Sequence, residues 1–185
     1  PRPEPDTIEA MCGIAGFAGP SSTPAGDRAT LEAMIHTLSH RGPDGYGYRV
    51  EPGVGLAHAR LSIIDLATGD QPIHNPAQTV WTVFNGEIFN YVELRAELER
   101  LGHRFYTHSD TEVIVHLYDR YGDDFVQHLN GQFAIALWDN ARRRFVLARD
   151  RAGIRPLYYT RARSRLWFGS EVKALLAALP ERAQL

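Results

Sequence analysis

Apolar and small residues alternate at the start of the folded part of the chain. Cys12, Ile14 and Gly16 fall on one side of residues 12–18 and Gly13, Ala15 and Phe17 on the other, which predicts a buried strand closed by Gly19-Pro20. Leu31, Met34, Ile35 and Leu38 then follow helical spacing behind Asp27, a candidate N-cap, and stop before Arg41-Gly42-Pro43-Asp44-Gly45, whose residue types favour a tight turn. Short β-branched and aromatic runs at 46–50, 55–64 and 79–85 predict an antiparallel sheet. Leu94, Leu98 and Leu101 define one face of a second helix after Asn90, with Gly102 as its C-terminal cap.

A third helix is predicted from Ser109-Asp110-Thr111-Glu112, which matches a capping box and places Asp110 in the first turn, and from the stripe Val113, Ile114, Leu117, Tyr118 and Tyr121. Phe133, Ile135 and Leu137 alternate with Ala134, Ala136 and Trp138, and the runs 145–148, 157–160 and 166–169 add strands that read as a second sheet. A short helix over 172–179 ends at Pro180. Residues 1–10 carry Pro1, Pro3 and Pro5 among alternating charges with almost no apolar content, and residues 180–185 are polar. Residues 1–11 are therefore read as a leader or propeptide, 12–179 as one domain, and 180–185 as the start of a linker.

With 185 residues the chain suits one well-packed core. Its formal charge of -2, without long runs of one sign, offers nothing that would attract nucleic acid or an anionic membrane, and a small polar ligand fits better. Cys12 is the only cysteine, so no internal disulfide forms and a cytoplasmic setting is expected. The acidic residues Glu4, Asp6 and Glu9 precede the short apolar stretch 11–19 where a signal peptide needs positive charge. The histidines show no zinc-ligand spacing and no glycine-rich phosphate loop is present, so no metal or cofactor is expected in this domain.

Taken singly, the candidate residues are ambiguous. Cys12 on an apolar strand reads as a small buried hydrophobe or a nucleophile, Asn85-Gly86 as a hairpin turn, Arg60 as a strand-end charge, and Asp110 as a carboxylate suited to a helix N-terminus. Motifs in order along the chain change that reading. Met-Cys-Gly-Ile-Ala-Gly-Phe (11–17), Arg-Gly-Pro-Asp-Gly (41–45), His-Ala-Arg-Leu-Ser-Ile-Ile-Asp (58–65), Phe-Asn-Gly-Glu-Ile-Phe-Asn-Tyr (84–91) and Ser-Asp-Thr-Glu-Val-Ile (109–114) together resemble class II glutamine amidotransferases. Gln71-Pro72, Gly131-Gln132-Phe133-Ala134, the run 149–159 and Ser-Glu-Val-Lys-Ala-Leu (170–175) extend the resemblance, which is nearest to the glutaminase domain of asparagine synthetases.

The resemblance implies an α+β fold, a four-layer α/β/β/α sandwich of the N-terminal-nucleophile hydrolase type with two stacked antiparallel sheets. It implies hydrolysis of L-glutamine through a thioester on Cys12, with the free α-amine of Cys12 as base and Asn85 and Gly86 as oxyanion donors. Arg60, Leu61, Ile63, Ile64, Glu87 and Asp110 correspond to glutamine-binding positions, Arg60 for the α-carboxylate and Glu87 with Asp110 for the α-ammonium. Arg149-Asp150 is assigned a structural role. The implied partner is an ATP-dependent synthetase domain or subunit, where ATP and Mg2+ would act, and a homodimer is compatible with this. In the family's asparagine synthetases the cysteine follows the initiator methionine directly, whereas ten residues precede Met11 here. A propeptide cut after Met11, an added leader, or a binding or structural module that has left glutaminase chemistry behind all fit that difference, as does an ammonia donor to an acceptor other than aspartate. While the Met11–Cys12 bond is intact, the chain is expected to be inactive.

Overall fold

The computed structural model describes residues 11–20, 23–61 and 69–179. The expected leader 1–11, except for Met11, the linker 180–185, and Ile63 and Ile64 lie outside the described residues.

Among the described residues, nine strands form two antiparallel sheets. The first contains β1 (Gly13–Ala18), β2 (Gly45–Glu51), β3 (Val54–Arg60), β8 (Tyr158–Ala162) and β9 (Arg165–Gly169), in the order β2-β3-β1-β9-β8. The second contains β4 (Ile73–His74), β5 (Val80–Ile88), β6 (Gly131–Asp139) and β7 (Arg144–Arg149), in that order. The sequence groups the run at 79–85 with those at 46–50 and 55–64, and the runs at 157–160 and 166–169 with those at 133–138 and 145–148. The structure pairs β5 with β6 instead, and sets β9 against β1. Chain order is a poor guide here because each sheet recruits strands from both halves of the chain, and period-2 alternation specifies a buried face without naming the neighbour.

The alternation itself specifies the layers. In β6, Phe133, Ile135 and Leu137 face a core shared with Leu94 and Leu98 of α2 (Tyr91–Arg100) and Val113, Ile114, Leu117 and Tyr118 of α3 (Glu112–Tyr121). Ala134, Ala136 and Trp138 face the other way and meet Ile14, Leu56 and Phe168 of the first sheet. Beyond that sheet, Ala15, Phe17, Ala57 and Ala59 pack on Leu31, Met34 and Ile35 of α1 (Pro24–His36) and on Ala174, Leu175 and Ala178 of α4 (Val172–Ala178). The layers therefore run helix, sheet, sheet, helix, the expected α+β sandwich.

Helix ends explain three departures from the sequence reading. Thr23, not Asp27, caps α1, its hydroxyl accepting from Gly26 N at 3.1 Å, while Asp27 is turned inward to pair with buried Arg165 at 2.7 Å. Gly102, at φ +93°, does close α2: its N–H donates to Glu99 O and that of His103 to Leu98 O, the paired bonds of a Schellman motif. That turn comes before Leu101 reaches the core, leaving Leu101 47% exposed. At α3 the expected capping box does not form. Helix α3 begins at Glu112, so Asp110 precedes it, and the Glu112 carboxylate reaches back to the N–H groups of Tyr106 and Thr107 and the Thr107 hydroxyl. A 3-10 helix over Gly122–His128 follows α3 without a helical stripe that could have announced it.

Candidate active site

Cys12 sits one residue before β1, beside the end of β3, where the two strands pair from Gly13 with Ala59 onward. Its Sγ accepts from the Leu61 N–H at 3.3 Å and lies 3.5 Å from Leu61 O. Burial pushes the thiol pKa above its ordinary value, and the Leu61 N–H and the Arg60 charge offset part of that rise. A thiol so placed is not a standing thiolate, so attack on a carbonyl carbon requires a base at hand.

Two distant segments hold this cysteine in place. Ser170, fully buried at the end of β9, bonds both backbone groups of Ile14: its hydroxyl accepts from Ile14 N at 2.9 Å, and its N–H donates to Ile14 O at 2.8 Å. Arg41, in the turn after α1, donates from Nε to Cys12 O at 3.1 Å and pairs with Glu171 at 3.1 Å. Glu171 also pairs with His40 at 2.8 Å and Lys173 at 3.0 Å. The motifs 41–45 and 170–175 thus meet on the nucleophile segment.

A cavity of about 140 Å³ opens beside Cys12, lined also by His58, Arg60, Leu61, Gly86, Glu87 and Asp110. Arg60 ends β3 and pairs with Asp70. Glu87 is exposed at the rim, whereas Asp110 is only 5% exposed, accepting from Ile88 N at 3.0 Å. Burial raises the Asp110 carboxyl pKa above the ordinary carboxylate range, with the Glu87 charge adding to that and the Ile88 N–H opposing it. Two guanidiniums, Arg60 and Arg155, and two carboxylates, Glu87 and Asp110, around a small pocket supply both signs of charge that a free amino acid needs.

The second sheet supplies β5. Gly86 adopts φ +153°, and a Cβ there would come within 2.0 Å of Gln132 O, so only glycine fits. Asn85 pairs with Ala134 and lies two residues after Val83, both of which face the inter-sheet core, so alternation sends its side chain toward the first sheet. It is 1% exposed, and its Nδ2 has no hydrogen-bond partner among the described residues.

Of the residues expected from sequence, Cys12, Arg60, Leu61, Gly86, Glu87 and Asp110 therefore share one cavity and Asn85 adjoins it; Ile63 and Ile64 lie outside the described residues. Arg149 and Asp150 do not pair with each other but separately hold one loop. Arg149 donates to Arg155 O and Gly153 O, and Asp150 accepts from the N–H groups of Phe133, Ile154 and Arg155. Sequence reasoning missed Gln71, which accepts from Phe84 N at 2.6 Å and donates to Thr111 Oγ1 at 3.3 Å, and Ser109 and Thr111, which join the cavity wall. It also missed His58, although His58 lies two residues before Arg60 on the same strand and so shares its face. Among the described residues no group of side chains has the arrangement of a metal site, and no helix is long and apolar enough to cross a membrane.

This sandwich is shared with solved structures. The glutamine phosphoribosylpyrophosphate amidotransferase of B. subtilis superposes with a TM-score of 0.74 at 24% identity, over 90% of this chain and 43% of that one. A structure described as the allosteric regulatory enzyme of purine biosynthesis gives 0.75 at 23% identity, with the same coverage. These likenesses show that the fold is shared. Within it, residues 11–185 match the glutamine amidotransferase domain, and the chain belongs to that family. It is 44% identical over 170 residues to asparagine synthetase [glutamine-hydrolyzing] 2 of Bacillus subtilis (strain 168), covering 90% of this chain and 22% of that protein. It is also 44% identical over 166 residues to asparagine synthetase [glutamine-hydrolyzing] of Zea mays, covering 89% of this chain and 28% of that one. The chain thus spans about a quarter of the length of the curated relatives it matches.

Proposed function

We propose that the cavity binds L-glutamine and that Cys12, with its α-amine free, hydrolyses the side-chain amide to glutamate and ammonia. The observation that carries this is the Cys12 thiol, held by Leu61 N–H in a cavity that also presents Arg60, Glu87 and Asp110. Arg60 receives the α-carboxylate, Asp110 and Glu87 the α-ammonium, and the amide end is left against the sulfur. The α-amine, with a reference pKa of about 7.7 to 8.0, takes the thiol proton. Sulfur attacks the amide carbon, Asn85 Nδ2 and Gly86 N–H receive the oxyanion, and the same proton leaves with ammonia. Water then resolves the thioester.

An amide nitrogen cannot act as that base, so the Met11–Cys12 bond must be cut for turnover. Met11 is partly buried with its thioether against Arg155, a cavity-lining residue, which puts the bond to be cut at the cavity edge. On this reading residues 1–11 are a leader, 12–179 the glutaminase domain, and 180–185 lead toward a synthetase domain or subunit in the cytoplasm. That partner would use ATP and Mg2+ to pass ammonia to aspartate, whereas the glutaminase domain itself needs neither metal nor cofactor.

Intact-mass measurement after exposure to a glutamine-analogue electrophile tests the proposal. A chain beginning at Cys12 should gain one adduct on that residue, and Cys12→Ala should gain none and release no ammonia. A chain beginning at Cys12 that stays unlabelled and inert would overturn the assignment.

A further inference from the structure

We propose that His58 is a positioning residue for the second half of the reaction, its imidazole holding the water that attacks the Cys12 thioester. The inference rests on the glutaminase reading above.

His58 is 1% exposed, and neither ring nitrogen has a hydrogen-bond partner among the described residues. Buried polar groups are overwhelmingly paired because an orphan forfeits its hydration without return, so an imidazole in this state marks a place where a small polar molecule belongs. The ring also lines the cavity that contains Cys12. Strand register defines their relation: His58 lies directly across from Ile14. Cys12, two residues before Ile14 and one before β1, continues that face as its diagonal neighbour, a relation that in a ladder puts residues about 7–8 Å apart and their Cβ atoms somewhat closer. One bridging water spans the gap that remains between a ring nitrogen and the sulfur. From the opposite sheet, Asn85 brings a second buried, unpartnered polar group toward the same inter-sheet space.

The protonation state suits the task. Full burial, with the Arg60 charge adding to it, holds the His58 pKa down at about 3, so the ring stays neutral. A neutral imidazole accepts a hydrogen bond from water at one nitrogen and does not keep its proton. The water oxygen bonds to the thioester carbon, and its proton passes to the Cys12 α-amine. The C–S bond then breaks, and the amine returns the proton to the leaving sulfur. Glutamate and the free thiol result, and His58 ends unchanged.

The test uses the chain from Cys12 onward, whose Cys12 amine is free, and compares it with His58→Leu and His58→Asn. Three quantities are followed: Cys12 alkylation by the glutamine-analogue electrophile, thioester occupancy during glutamine turnover by acid quench and intact mass, and γ-glutamyl hydroxamate formation with added hydroxylamine. His58→Leu should alkylate at the parent rate while turnover falls about tenfold, the equivalent of one lost neutral hydrogen bond. It should also accumulate thioester, and hydroxylamine should discharge it. His58→Asn, which keeps a donor and an acceptor, should recover part of the loss. Parallel loss of alkylation and turnover in both variants, or slow turnover without thioester, would overturn the inference. A parent that alkylates and turns over while His58→Leu matches it overturns this inference alone; a parent that never alkylates overturns the glutaminase reading as well.

Discussion

Asp110 sits where its negative charge is costly to the fold. Because burial raises its folded pKa, its contribution to stability is greatest below the ordinary value of 3.8 and is lost as pH rises through the raised folded value. At neutral pH the ionised carboxylate therefore weakens the fold, and under the proposed function that charge serves the ligand's α-ammonium. Asp110→Asn should raise the Tm at pH 7 while raising KM for glutamine by roughly 10- to 100-fold, the range expected for a lost hydrogen bond to a charged group, and thermal melts with steady-state kinetics check both. Asn85 carries the converse case, a buried donor left free. Asn85→Ala should lower kcat by about 100- to 1,000-fold with little change in alkylation of Cys12, since alkylation by an electrophilic analogue does not build the amide oxyanion.

Glu171, at the N-terminal end of α4, links that helix to the nucleophile through Arg41. Burial alone would raise its pKa, but hydrogen bonds from Lys173, Arg41 and His40 outweigh burial and hold it at about 2. A depressed carboxyl contributes stability that is present above its ordinary 4.5 and is lost as pH falls through about 2. Glu171→Gln should thus lower Tm at neutral pH and flatten the acid-side fall in Tm between those two values, read from melts across that range. Arg41 would at the same time lose its anchor, so the Cys12 carbonyl would be held less firmly and alkylation of Cys12 should slow, whereas a purely surface ion pair would leave alkylation unchanged.

Across the whole molecule, the site exists only because the two sheets are stacked. Cys12, His58 and Arg60 belong to one sheet, Asn85 and Gly86 to the other, and the apolar layer containing Ile14, Leu56, Val83, Trp138 and Phe168 sets their separation. Phe168→Ala should cost about 3–5 kcal/mol in unfolding free energy. For a chain of this size that corresponds to a Tm lower by roughly 10 °C. Alkylation of Cys12 should be less affected than turnover, because alkylation does not draw on the Asn85 and Gly86 oxyanion donors that the second sheet must hold opposite the sulfur.

The linear sequence determined the elements and the two-faced character of β6 through its period-2 and helical spacing, and its motifs were specific enough to bring Cys12, Arg60, Glu87 and Asp110 forward together. It did not determine that Asp27 serves a buried ion pair with Arg165 rather than a cap, that Glu112 reaches backward to residues 106 and 107, or that β5 pairs with β6. Each of those outcomes depends on a partner far along the chain or on a local competition among hydrogen bonds, and neither leaves a periodic trace. The roles of Arg41, Ser170 and Glu171 around Cys12, and the unpartnered ring of His58, follow from which strands lie side by side, and only the tertiary structure decides that.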